Sequence, residues 1–141
     1  MKNNVTTIMP QQAWKQLQED PTAILIDVRC NMEFLFIGHP RGAINIAWID
    51  EPDWKINPHF TAEVRKVMLG GIHNPGDVGG VPVLLICRSG KRSLDAGEVL
   101  LNDGFTNVYN IADGFEGGLD ENHQRSTLAG WRFEGLPWEQ C

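Results

Sequence analysis

The 141 residues, 42% of them apolar, suffice for one domain with its own core, and no repeat, low-complexity segment or linker divides them. A formal charge of −6 argues against a nucleic-acid binder, whose phosphate-neutralising face has to be basic, and no apolar run is long enough to span a bilayer. Three cysteines (30, 87 and 141) are too sparse for a disulfide framework and point to free thiols in a reducing, cytoplasmic setting; the four histidines keep no metal-ligand spacing.

The first residues, Met1-Lys2-Asn3-Asn4-Val5, lack the apolar stretch of a secretory signal. Thr6–Ile8 reads as a short strand. Pro10 suits a helix start, and residues 11–19 put Ala13, Trp14 and Leu17 on one face before Pro21 stops the helix. Ala23–Val28 is nearly all apolar, as a strand buried on both faces of a parallel sheet would be. Arg29–Phe36 reads as a helix ended by Gly38-His39-Pro40, and Ala43–Ala47 as another strand. Strand, helix and strand in succession predict α/β layering with right-handed crossovers.

Residues 48–82 begin with a loop rich in aromatics and proline (Trp48, Pro52, Trp54, Pro58, Phe60). Thr61–Leu69 follows as a helix with Val64, Val67 and Met68 inward, then a glycine-rich loop over 70–80. Two readings stand for this region, a cover over a pocket or a surface insertion. Position at the carboxyl edge of parallel strands favours the cover for 48–60.

Val83-Leu84-Leu85-Ile86 is a wholly apolar strand, and Cys87 stands at its end. Behind it comes Arg88-Ser89-Gly90-Lys91-Arg92, then a helix over Ser93–Asn102. Loop N–H groups, the positive end of the helix dipole and three cations all surround that sulfur, and all three favour thiolate over thiol. A core cysteine needs none of them. Four residues separate Cys87 from Arg92, one fewer than in the C-x5-R loop of cysteine phosphatases and some arsenate reductases. The tighter cradle matches a single added sulfur atom better than a tetrahedral phosphate. A final strand covers Asn107–Ile111.

Cys87-Arg88-Ser89-Gly90-Lys91-Arg92-Ser93 resembles the active-site loop of single-domain rhodaneses, the thiosulfate and persulfide sulfurtransferases. Leu25–Arg29, Glu33-Phe34 and Gly38–Ile46 are similar to the family's N-terminal signature, although Pro40-Arg41 alters the usual order after the glycine-histidine pair. Gly104–Tyr109, Gly114-Phe115, Gly130-Trp131 and Gly135–Trp138 resemble its C-terminal half, with the polar stretch 116–127 longer than usual. The resemblance spans nearly the whole chain.

It implies one rhodanese domain over residues 1–141, α/β in class, with a mostly parallel sheet of about five strands and helices on both faces. It also implies that Cys87 attacks the outer sulfur of thiosulfate or a persulfide, forming a persulfide that a nucleophilic acceptor then discharges. Arg88, Lys91 and Arg92 would attract the anionic donor or brace the loop, and the N–H groups of Ser89, Gly90 and Lys91 would hold the persulfide. Ser93 would cap the helix or turn its hydroxyl to the site, capping being favoured. No metal or organic cofactor is called for, and the partners are a small anionic sulfur donor and, in some cases, a protein acceptor; neither nucleic acid nor membrane is among them. Asp27 is expected to cap loop N–H groups, Arg29 to pair with a neighbour such as Glu33, Cys30 to be a packed thiol, and Trp131 and Trp138 to anchor the tail in the core. Cys141 reads as a tail thiol, with a sulfur relay as the competing role. A cysteine phosphatase or arsenate reductase, and a non-catalytic partner-binding module, remain the alternatives.

Overall fold

The structure, a computed structural model, describes residues 4–50, 53–71 and 80–140, with the backbone alone at 70 and 71. In chain order it contains β1 (Thr6–Ile8), α1 (Pro10–Glu19), β2 (Ile24–Asp27) and a π-helical turn over Glu33–Ile37. Then come β3 (His39–Pro40), β4 (Ile44–Asn45), a hairpin of β5 (Ile49–Asp50) and β6 (Lys55–Ile56), and α2 (Phe60–Gly71). The chain closes with β7 (Val83–Ile86), α3 (Lys91–Asn102), β8 (Val108–Ile111) and β9 (Trp138–Glu139). Five strands form a parallel sheet in the order β1-β8-β7-β2-β4, as the α/β reading requires.

β7 lies at the centre of that sheet, and its side chains alternate between two cores. Val83, Leu85 and Cys87 face the layer of α2 and α3, against Val64, Met68, Ala96 and Leu100. Leu84 and Ile86 face the opposite layer, with Ala13 of α1, Phe115 and Trp131. All four residues of β7 are 0% exposed, so each contributes on the order of 1.5–3 kcal/mol of apolar burial before entropy is counted. This explains the unbroken apolar run.

Several local expectations change. The helix foreseen over Arg29–Phe36 is a π-helical turn that begins later, at Glu33, after two helical residues. Asp27 holds Arg29 back: its Oδ1 accepts the Arg29 backbone N–H at 3.1 Å and keeps that stretch out of a helical turn. The strand foreseen over Ala43–Ala47 narrows to β4, although Ile46 and Trp48 still donate N–H bonds to β2 and to Val28 beyond it. Within the stretch 48–60, Ile49–Asp50 and Lys55–Ile56 pair as the antiparallel strands β5 and β6, which neither composition nor periodicity had indicated.

Trp131 is fully buried, donates Nε1–H to the Pro137 carbonyl at 2.9 Å and meets Trp14 edge-on, so it anchors the tail in the core. Trp138 does not. It is 36% exposed, lies edge-on against Phe115, and belongs to the two-residue β9 paired with β3. The glycine-rich loop falls mostly outside the described residues, and so does Cys141.

Candidate active site

Parallel strands collect their loops at the carboxyl edge of the sheet, and Cys87 ends the central one. The residue is 1% exposed, at the start of the loop that leads into α3. Gly90 makes the turn. Its φ of +104° is a conformation L side chains rarely adopt, and it aims the Gly90 N–H at Sγ of Cys87, 3.0 Å away. Of the three loop N–H groups expected there, this is the one that reaches the sulfur. Gly90 also starts α3, so the positive end of a twelve-residue helix sits beside Sγ. From the first turn of α3, Ser93 puts Oγ 3.2 Å from Sγ rather than capping the helix, which corrects the favoured sequence reading.

The segment after β8 holds this loop from below. Phe115 N–H donates to the Cys87 carbonyl at 2.7 Å, and the N–H groups of Glu116 and Gly117 donate to that of Arg88. A Cβ on Gly114 would lie 2.3 Å from the Cys87 carbonyl oxygen, so only glycine lets the two backbones approach so closely. The polar stretch 116–127 folds back onto this segment around Asp120. Its carboxylate accepts the N–H groups of Asn122 and Gln124 and the Thr127 hydroxyl, and Ser126 N–H returns to the Glu116 carbonyl.

The three loop cations separate into two kinds. Arg88 and Lys91 are exposed, with no ion-pair partner among the described residues. Arg92 is turned away into a fork-to-fork pair with Glu33, at 2.9 and 3.0 Å. That pair ties the start of α3 to the π-helical turn. Burial alone would raise the Glu33 pKa, but hydrogen bonds and charge from Arg92 outweigh it and hold the carboxyl down to about 2, against an ordinary 4.5. A depressed carboxyl stabilises the fold above its unfolded value, and that stabilisation is lost as pH falls through the folded one. Glu33→Gln is therefore expected to lose about 1–2 kcal/mol at neutral pH, the pair being neither fully exposed nor fully buried. The gap between the two proteins in urea unfolding should shrink as pH drops from about 4.5 towards 2. A gap that stays constant over that range would rule out the pair as its source.

Arg29 takes a different partner from the one its sequence position suggested. It is 0% exposed and paired with Asp27, not Glu33, at 2.6 Å, with Nη2 also donating to the Gly38 carbonyl. Its guanidinium lies 4.6 Å from the ring centroid of Phe115, so the pair supports the segment beneath Cys87. Cys30 is 4% exposed, and burial pushes its thiol up, the opposite of what a nucleophile needs; it fits a packed thiol. The hairpin lines a polar hollow of about 740 Å³ with Asn31, Asn45, Asn57 and Glu63, and Cys87 does not line it. Sequence reasoning missed Asn110, a buried amide of β8 whose Oδ1 lies 2.5 Å from the Ser93 hydroxyl. A polar residue between apolar neighbours in the last strand was the available signal.

A family model described as the rhodanese-like domain matches residues 9–121. The chain belongs to the rhodanese family. Rv0390 from M. tuberculosis, known from a crystal structure, has 39% sequence identity and a TM-score of 0.82, the match covering 99% of this chain and 100% of that one. An uncharacterized protein of Rickettsia conorii is 32% identical over 136 residues, which cover 96% of this chain and 98% of the other. The thiosulfate sulfurtransferase GlpE of Haemophilus influenzae is 30% identical over 110 residues, covering 78% of this chain and 84% of GlpE. This rhodanese has no helix, among the described residues, long and apolar enough to cross a membrane.

Proposed function

We propose that this rhodanese is a sulfurtransferase that carries a sulfane sulfur on Cys87, from thiosulfate or a persulfide donor to a nucleophilic acceptor. The observation that carries the reading is a sulfur at the carboxyl end of the central strand, with the Gly90 N–H aimed at it from 3.0 Å and a helix N-terminus behind. In the first half-reaction the Cys87 thiolate attacks the outer sulfur of the donor. A new S–S bond forms, the donor's own S–S bond breaks, and its electron pair leaves with the remainder of the donor, sulfite in the case of thiosulfate. The charge then rests on the outer sulfur, within the loop formed by Ser89, Gly90 and Lys91. An acceptor thiol or cyanide attacks that sulfur, and the bonding pair returns to Sγ.

Arg88 and Lys91 steer the anionic donor, and Arg92 braces the loop through Glu33. The same pairing speaks against phosphate chemistry, because an arginine that grips a phosphoryl group has to turn its fork to the ligand. A reducing, cytoplasmic setting belongs to the same reading, in keeping with the free thiols of Cys30 and Cys87.

Intact-mass measurement tests the proposal. Thiosulfate should add the mass of one sulfur atom, and a thiol or cyanide should remove it, with no turnover of an aryl phosphate. Thiosulfate that leaves the mass unchanged would overturn it. For the cations, Arg88→Ala and Lys91→Ala should each raise the KM for thiosulfate about threefold to tenfold with little change in stability. Raised salt should mimic part of that loss, since exposed charges are screened beyond about 8–10 Å near physiological ionic strength. Kinetics indifferent to both changes would mean that these cations do not steer the donor.

A further inference from the structure

Behind the sulfur lies a buried polar chain that the steps above leave unused. Ser93 and Asn110 are 0% and 5% exposed, and Asn110 faces Leu85 across the β7–β8 register. The Ser93 hydroxyl has one proton and two acceptors for it: Asn110 Oδ1 at 2.5 Å and Cys87 Sγ at 3.2 Å. The amide cannot turn over to relieve this competition at no cost. Its Nδ2 donates to the Gly90 carbonyl at 3.3 Å, and reversal would set two oxygens against each other there.

We infer that Asn110 is a positioning residue for the sulfur transfer, which sets where the Ser93 proton rests and so shifts the balance between free thiolate and loaded or protonated sulfur. With Cys87 as a thiol, S–H donates to Ser93 Oγ and Ser93 O–H donates to Asn110, leaving every group paired. With a free thiolate, the hydroxyl proton turns to Sγ and Asn110 Oδ1 loses its donor. In the persulfide the charge has moved to the outer sulfur, so the proton returns to Asn110. Asn110 thus opposes the free thiolate alone, and Ser93 favours it. A less stabilised thiolate is also the stronger nucleophile and the poorer leaving group. Asn110 therefore favours loading over discharge.

The inference rests on the sulfur-transfer reading for its consequence, but the hydrogen-bond competition can be measured without it. The rate of Cys87 alkylation by iodoacetamide, followed by peptide mass mapping across pH, reads the thiolate population directly. Asn110→Leu should move that profile to lower pH, with alkylation about fivefold faster on its acid limb, as loss of one competing hydrogen bond implies. Asn110→Ala should shift it in the same direction if leucine packs poorly. Ser93→Ala should move the profile the opposite way. In the Ser93→Ala background, Asn110→Leu should have no further effect, because the coupling passes through the hydroxyl.

Opposed shifts that vanish in the double variant would support the assignment. An unmoved profile, shifts of the same sign, or an Asn110 effect that survives without Ser93 would overturn it. In turnover, Asn110→Leu should discharge the persulfide to cyanide about fivefold faster and load it more slowly. A wild-type protein that never takes up sulfur would defeat the sulfur-transfer reading and leave the alkylation result standing.

Discussion

Cys87→Ser is expected to abolish sulfur loading while leaving the fold intact. Oxygen nearly preserves the shape of the side chain, and the Gly90 N–H and the Ser93 hydroxyl still offer it partners, so stability should change by less than about 1 kcal/mol. Reactivity should collapse, because a serine hydroxyl beside no general base stays protonated and a weak nucleophile. Thiosulfate:cyanide turnover should fall about a thousandfold or more, and the added sulfur mass should disappear. Sulfur taken up by the serine variant at the wild-type level would move the nucleophile elsewhere. Cys30, the other thiol among the described residues, would then be the candidate, although burial pushes its thiol up, away from the thiolate a nucleophile needs.

The largest stability effect should come from a pair that never touches substrate. Asp27 and Arg29 are both 0% exposed, and Asp27 accepts three contacts from the Arg29 guanidinium as well as the Arg29 backbone N–H. Asp27→Asn leaves a buried, uncompensated cation, which costs about 3–5 kcal/mol. For a chain of this size that corresponds to a fall in Tm of about 10 °C or more. An apolar double replacement, Asp27→Leu with Arg29→Met, should recover much of the loss, because it removes the orphaned charge together with its partner. Urea unfolding of the three proteins would decide it. A single-variant loss below about 1 kcal/mol would show that water or another group compensates Arg29.

The five strands of the parallel sheet, the three α-helices and the position of Cys87 could be read from the chain, because apolar runs and their period depend on neighbours in sequence. The pair partners could not all be read that way. Arg92 meets Glu33 across 59 positions, a contact that the β2–β7 pairing alone creates. Asp27 with Arg29 was legible and was missed: residues two apart in extended chain share a face, whereas Arg29 with Glu33 requires a helix that starts two residues too early. The β5–β6 hairpin left no alternation to follow, since its strands are two residues long. Asn110 was passed over because an isolated amide in a strand draws attention only once its neighbours are known.

The alternation along β7 makes the chemistry conditional on alignment. Val83, Leu85 and Cys87 share one face, and Leu84 and Ile86 the other. A slip of one residue against β2 or β8 would carry Cys87 to the side of α1, away from α3 and its N–H groups. The same slip would exchange two sets of side chains of similar bulk, so apolar burial by itself penalises it weakly. The polar features discriminate instead: the Gly90 N–H, the Ser93 hydroxyl and the Phe115 N–H each recognise Cys87 in one alignment. On the proposed sulfur-transfer reading, a mispaired chain would hold its thiol without these partners, and only the correctly threaded sheet would bring it into service.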